Sequence, residues 1–356
     1  MRDRVSESLD LFDRLVRDGG MRLIGFSILF GMASFGALAT AGQLNIYSAR
    51  HYDTDSALYE AFTEEHGVQV NVVEGRDDAL LQRLVTEGRN SPADIFITVD
   101  AGRLWAAENA DLFQPVDSEV LSENIPGHLR HPDNLWFGFS RRARVIVYAR
   151  DRVDPVELST YENLADRKWR GRVLVRSSSN IYNQSLLGSL IEAHGTEGAE
   201  AWARGVVRNL ARPPQSNDTG QIRALAQGLG DVAIVNHYYY LRLVQSENPA
   251  DRAVAEAVGI FFPNQEDRGT HINISGAGVL RHAPNPNNAK LFLEWLSTEP
   301  AQMLFARENQ EFPANPEAPK DRILREMDFR EDHLNASRIG TRNPEAIRIF
   351  DRAGWR

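Results

Sequence analysis

The sequence predicts an α/β protein, and three observations carry that prediction. Short runs rich in β-branched and aromatic residues alternate with segments of helical period along most of the chain. The 356 residues, at about 150 per domain, make two or more domains with room for sizeable cores. With 42% hydrophobic and 25% charged residues the composition is ordinary for a globular chain, which excludes disorder and a polytopic membrane protein.

The first strand is Leu44-Asn45-Ile46-Tyr47. A helix is predicted over 53–66, with Asp53 or Asp55 as cap and Leu58, Tyr59 and Phe62 on one face. A second strand over 68–73 precedes a helix over 77–88 that turns Leu80, Leu81, Leu84 and Val85 inward. Behind a Ser91-Pro92 turn, Asp94-Ile95-Phe96-Ile97-Thr98 reads as a buried strand. Further strands are predicted at 144–148, 172–175, 232–235 and 258–262, and further helices at 183–194, 199–210, 220–227 and 289–299. There is no internal repeat and no low-complexity tract. Beyond Asn315 the chain is rich in charge, with 347–350 expected to tuck against the fold.

At the amino terminus, residues 1–20 read as an upstream extension, with Met21 as the true start. Arg22, the apolar stretch 23–38 and Ala39-Thr40-Ala41 read as a secretory signal over 21–41, with the mature chain beginning near Gly42. The competing reading is an uncleaved anchor, because a run of about 20 uncharged residues can span a bilayer. Either way the remaining chain lies outside the cytoplasm.

Lys+Arg 40 against Asp+Glu 49 gives a net charge of −9, which argues against nucleic acid as a partner. Only three cations are lysines, so nearly all are planar forks suited to fixed ion pairs and anions. The absence of cysteine excludes disulfides, zinc ribbons, iron–sulfur clusters and thiol nucleophiles. No zinc-protease helix motif, serine-nucleophile elbow or phosphate loop is present either. His128 and His131 sit at i and i+3, but Pro126, Gly127 and Pro132 make that stretch a loop, where polar residues are the default.

In open α/β sheets ligands bind beyond the carboxyl ends of strands, and three such ends carry tyrosine. Tyr52 follows the first strand, Tyr182 follows the strand at 172–175, and Tyr238-Tyr239-Tyr240 follow the strand at 232–235. An isolated tyrosine is usually packing with a wet hydroxyl, the reading that fits Tyr47, Tyr59, Tyr148 and Tyr161. Consecutive tyrosines resist it, because neighbours diverge by about 100° on a helix, whereas a strand-to-helix junction can aim both at one point. Phenolate is a hard anionic oxygen donor matched to hard trivalent iron, and a bound cation can hold it deprotonated at neutral pH. Four phenolates on Fe3+ leave one negative charge, for which Arg50, Arg142 and Arg144 are candidate partners, each with a structural ion pair as the plainer reading.

These residues carry a resemblance. Tyr47-Ser48-Ala49-Arg50-His51-Tyr52-Asp53-Thr54-Asp55, Ser178-Ser179-Asn180-Ile181-Tyr182-Asn183-Gln184 and Asn236-His237-Tyr238-Tyr239 resemble the periplasmic ferric-iron-binding proteins of bacterial ABC importers, especially the cyanobacterial branch. Ala93-Asp94-Ile95-Phe96-Ile97, Trp136-Phe137-Gly138-Phe139-Ser140 and Gly269-Thr270-His271-Ile272-Asn273 extend it to nearly all of 43–320. The resemblance implies a two-lobed type II periplasmic binding protein with its cleft between the lobes. Crossings near 142–148 and 270–275 would give lobe 1 as 42–143 plus 271–316 and lobe 2 as 144–270 plus 317–356.

It further implies Tyr52, Tyr182, Tyr238 and Tyr239 as ligands of Fe3+, the transported cargo, with His51 a fifth candidate. A synergistic anion such as carbonate or citrate, or water, would complete the shell. Tyr240 reads as packing or support, and His237 as a weak candidate for support. The implied protein is a monomer that closes on iron and delivers it to an ABC permease, and it is not an enzyme. Two alternatives stay open: a binding protein of the same fold for a polyamine, thiamine or a phosphonate, and an exported hydrolase.

Overall fold

A computed structural model describes residues 42–50 and 55–356, with the backbone alone for 305–308. The extension over 1–20, the signal or anchor over 21–41, and the candidates His51 and Tyr52 lie outside the described residues. No described helix is long and apolar enough to cross a membrane.

Alternating apolar residues set the first strand, β1 (Gln43–Ser48), which buries Leu44 and Ile46. It pairs in parallel with β2 (Gln69–Glu74) on one side and β3 (Ile95–Val99) on the other. β3 is buried at every position, as its unbroken apolar run requires. Around them lie α1 (Asp55–His66), α2 (Asp77–Glu87), α3 (Ala101–Asn109) and α4 (Glu119–Asn124). On α1 Leu58 and Phe62 are buried, with Tyr59 against the same core. On α2 only Leu80 and Leu84 are buried, with Leu81 at the margin. Val85, expected inward, is 49% exposed, because the buried stripe follows the i, i+4 pair and Val85 lies about 100° further round.

The strand predicted at 144–148 is the second half of a much longer one, β4 (Phe137–Ala149). Ser140, Arg141 and Arg142 break the apolar pattern of its first half and concealed it. That first half pairs antiparallel with β8 (Ile272–Val279) and touches β9 (Phe312–Pro313). From Arg144 onward β4 changes partners to β6 (Val232–Asn236) and then β7 (Val258–Phe261), while β5 (Val173–Leu174) joins β6 in parallel. The strand path is β2-β1-β3-β8-β4-β6-β5.

The remaining helices are α5 (Ile181–Asn209), α6 (Asp218–Ala226), α7 (His237–Val244), α8 (Pro249–Ala257), α9 (Pro286–Leu296), α10 (Glu299–Asn309), α11 (Arg322–Arg325), α12 (Ala336–Thr341) and α13 (Asn343–Ala353). The two helices expected over 183–210 form α5, broken at Gly195, whose φ of 71° and ψ of 174° suit glycine.

The cores explain why β4 and β8 matter. One core takes Leu44 to Phe139 side chains together with Ile274 to Ala301. Two others take side chains between Ala143 and Phe261, with Ile272, Phe312 and the carboxyl-terminal Ile349 and Trp355. The fold is therefore two-lobed, and β4 and β8 are the strands that cross between lobes. Tyr161 pins these crossings together: its hydroxyl donates to the Arg144 carbonyl and accepts from the His271 amide at 3.1 Å. α12 lies between α3 and α5, and a Cβ on Gly340 would stand 2.8 Å from the Ala101 carbonyl oxygen, so only glycine permits this approach.

Ile349 and Phe350 are buried as expected, whereas Ile347 is exposed. The chain end is locked by Trp355, which packs its ring 4.8 Å from Phe350 and 5.8 Å from Trp202. Its indole N–H donates to the Arg176 carbonyl at 2.9 Å. Trp355→Ala is expected to lower the unfolding free energy by about 3–5 kcal/mol in denaturant titration. A loss below about 1 kcal/mol would show that the carboxyl-terminal helix is held by other contacts.

Candidate metal centre

The strand β6 ends at Asn236 and the chain turns directly into α7, so Tyr238 and Tyr239 are the second and third residues of that helix. Their side chains lean toward its amino end, which brings rings on adjacent residues to 4.3 Å between centroids. Tyr182 is the second residue of α5. The Tyr238 hydroxyl donates to the Tyr182 hydroxyl at 3.5 Å, so three of the four expected phenols meet. All three stand at helix amino termini, where the backbone dipole favours negative charge.

What holds the two helix ends together is Arg144, 2% exposed at its side chain. Its Nη1 donates to Asp218 at 2.8 Å and to the Asn236 side chain at 3.0 Å, and its Nη2 to the Asn183 side chain at 2.8 Å. Asp218 also accepts from the Asn236 amide at 2.9 Å, and Asn183 donates to the carbonyls of Arg176 and Ser177. One guanidinium thus fixes the starts of α5, α6 and α7 against β4.

Charge around the phenols is positive. The guanidinium carbons of Arg142, Arg144 and Arg176 lie 5.5, 5.8 and 5.5 Å from the centre of the Tyr182 ring. Arg242 lies 4.9 Å from the Tyr238 ring and 5.7 Å from that of Tyr239, one turn along α7. Burial pushes the Tyr239 phenol up to about 12, and the nearby Tyr182 and Asp218 add to this against the polar contact with Tyr238 and the charge of Arg176. At neutral pH Tyr239 is therefore a neutral phenol, whose proton a bound cation can displace.

The other candidates have separate tasks. Arg50 is fully buried and forms a two-pronged pair with Asp55, at 2.8 and 3.1 Å, with Glu311 3.7 Å away. Burial raises the Glu311 carboxyl, but Arg50 and Arg142 outweigh it and hold the group below the carboxylate range. Arg142 donates to the Ile274 carbonyl at 2.5 Å, linking β4 to β8. His237 accepts from the Ala143 amide at 3.2 Å and stacks on Phe312, and burial lowers it to about 4, so it supports the base of Tyr238 as a neutral ring. Tyr240 packs against the third core. His128 and His131 do not converge: His131 Nε2 lies 3.2 Å from Glu108, and His128 stacks on His333.

Tyr182 and Tyr239 open onto a cavity of about 870 Å³ whose walls come from both lobes, including Ala49, Phe96 and Trp105 opposite these two tyrosines and Arg242. Sequence reasoning missed Trp105 and the α13 residues Asn343 and Ile347, which also line it. It also missed Asp100, whose φ of 96° is unusual for a residue other than glycine. The buried Asp100 carboxylate accepts from Ser185 of α5 at 2.5 Å and Asn273 of β8 at 2.8 Å, tying the first lobe to the second.

A family model for bacterial extracellular solute-binding proteins matches residues 48–303. The chain belongs to that family. Among solute-binding relatives, the iron uptake protein A1 of Synechocystis is 51% identical over 315 residues, covering 88% of each chain. A solved structure of the Trichodesmium protein FutA in complex with iron and citrate is 54% identical, with a TM-score of 0.86 over 88% of this chain and all of that one. The ferric binding protein of Campylobacter jejuni is 40% identical with a TM-score of 0.83, again over 88% of this chain and all of its own. The fold is that of a type II periplasmic binding protein, and these relatives of the solute-binding family are binding proteins.

The Arg144 network gives a direct expectation. Asp218→Ala leaves a buried guanidinium without its counter-ion and should destabilise the fold by about 3–5 kcal/mol in denaturant unfolding. A variant as stable as the parent would show that Arg144 does not depend on that pair.

Proposed function

We propose that this chain is an extracytoplasmic ferric-iron-binding protein that takes up Fe3+ in the cleft between its lobes and delivers it to an ABC permease. The observation that carries the reading is the meeting of Tyr182, Tyr238 and Tyr239 at two helix amino termini beside a cavity walled by both lobes. Hard trivalent iron is the cation that three anionic oxygens and no sulfur best suit. The relatives named for iron uptake and ferric binding support the same reading.

In this proposal Tyr52 joins from the first lobe as fourth phenolate, with His51 as a further ligand. The cavity far exceeds one ion, so water or a small carboxylate anion completes the shell, in keeping with the citrate in the Trichodesmium complex. Lobe 1, residues 42–143 and 271–316, and lobe 2, residues 144–270 and 317–356, close because ligands on both sides bind best when brought together. The permease reads the closed form, and the protein works in the periplasm as a monomer that binds without turnover.

Each ligating phenol must lose its proton, so binding releases protons and affinity rises with pH. Titration with ferric iron against a competing chelator, corrected for the chelator's protonation, should show at least about a tenfold gain per pH unit between pH 6 and 8. Replacing Tyr182, Tyr238 and Tyr239 together by Phe should cost more than the roughly 10–100-fold lost when a supporting group is removed. Affinity flat with pH, or retained by the Phe variant, would favour a solute that stacks on aromatic faces.

A further inference from the structure

Away from the phenols, His128 and His333 meet face to face, with ring centroids 4.6 Å apart and planes 17° from parallel. Glu331 joins them, and one ligand atom from each of the three lies within 4.8 Å of the others. The pieces come from distant parts of the chain, and the fold holds both in place. The Asn335 side chain donates to the carbonyls of Gly127 at 2.8 Å and Arg130 at 3.2 Å, fixing the turn that carries His128. The segment with Glu331 is held by Thr270, whose amide donates to Arg330 and whose carbonyl accepts from the Asp332 amide, both at 2.9 Å.

The chemistry of the cluster favours a cation. His128 Nε2 is buried with no hydrogen-bond partner, so its lone pair or proton is unsatisfied. Arg141 grips the Glu331 carboxylate, but a carboxylate offers about four lone-pair sites and can hold a metal as well. His333 is exposed, which leaves its ring room to turn toward a shared ion.

We propose that His128, Glu331 and His333 form a second metal site, for a divalent cation of zinc type, distinct from the tyrosine centre. Two imidazoles and a carboxylate make a three-ligand set for zinc, with water in the fourth position. The phenols suit a hard trivalent ion and the imidazoles a borderline divalent one, so the two sites sort metals by donor type. A zinc ion here ties the turn after Pro126 to the carboxyl-terminal segment. Because Arg141 already offsets the carboxylate charge, the site binds less tightly than a closed structural zinc site.

The test uses the full chain carrying Tyr52→Phe, Tyr182→Phe, Tyr238→Phe and Tyr239→Phe together with His51→Ala, which keeps zinc off the tyrosine centre and makes the outcome independent of the iron reading. Calorimetric titration with zinc chloride should show one ion per chain, and zinc should raise the melting temperature. His333→Ala, at an exposed position, and His128→Ala should each weaken zinc binding at least tenfold and abolish the thermal shift. Absence of zinc binding, or binding equally tight in the His333→Ala variant, would overturn the proposal.

Discussion

Everything at the centre of this molecule depends on one buried guanidinium. Arg144 sits where β4 leaves β8 and takes up β6, and its side chain ties the starts of three helices to that point through Asp218, Asn236 and Asn183. Its backbone is held as firmly: its carbonyl accepts from Tyr161 and its amide donates to His271 at 3.0 Å. A charge this deep is tolerated only when its partners are in register. The geometry that pairs Arg144 is therefore the geometry that brings Tyr182 to Tyr238 and Tyr239. The same residue lies at the crossing between lobes, so the cleft and the phenol cluster share one anchor.

Charge and donor type follow from this arrangement. A free phenol is neutral at physiological pH, and Tyr239 is pushed further from ionisation by its burial. Arg142, Arg144 and Arg176 around Tyr182, with Arg242 beside the other pair, place positive charge against all three rings. Asp100, reaching from β3 to α5 and β8, shows that the lobes are also joined by fixed hydrogen bonds at the base of the cleft.

Much of this was legible in the sequence, and what was hidden was hidden for physical reasons. The buried run before Asn236 and the adjacent tyrosines after it mark a strand-to-helix junction, because only there can neighbouring phenols share a target. Arg144 could be read as a counter-charge, but its partners lie 39 to 92 residues away, and no local pattern shows a contact of that range. The first half of β4 was masked by its own polar residues, of which Ser140 and Arg142 are buried against Glu311 and the Ile274 carbonyl. His128 pairs with His333 and not with the nearby His131, again a product of long-range folding. The cavity wall from α13 was invisible for the same reason.

The central claim is that phenolate oxygens hold the metal, and it is tested most directly by absorption spectroscopy of the apo-protein as ferric iron is added. The account predicts a visible tyrosinate-to-iron charge-transfer band that saturates at one iron per chain. Iron bound at that stoichiometry with no visible band would contradict it.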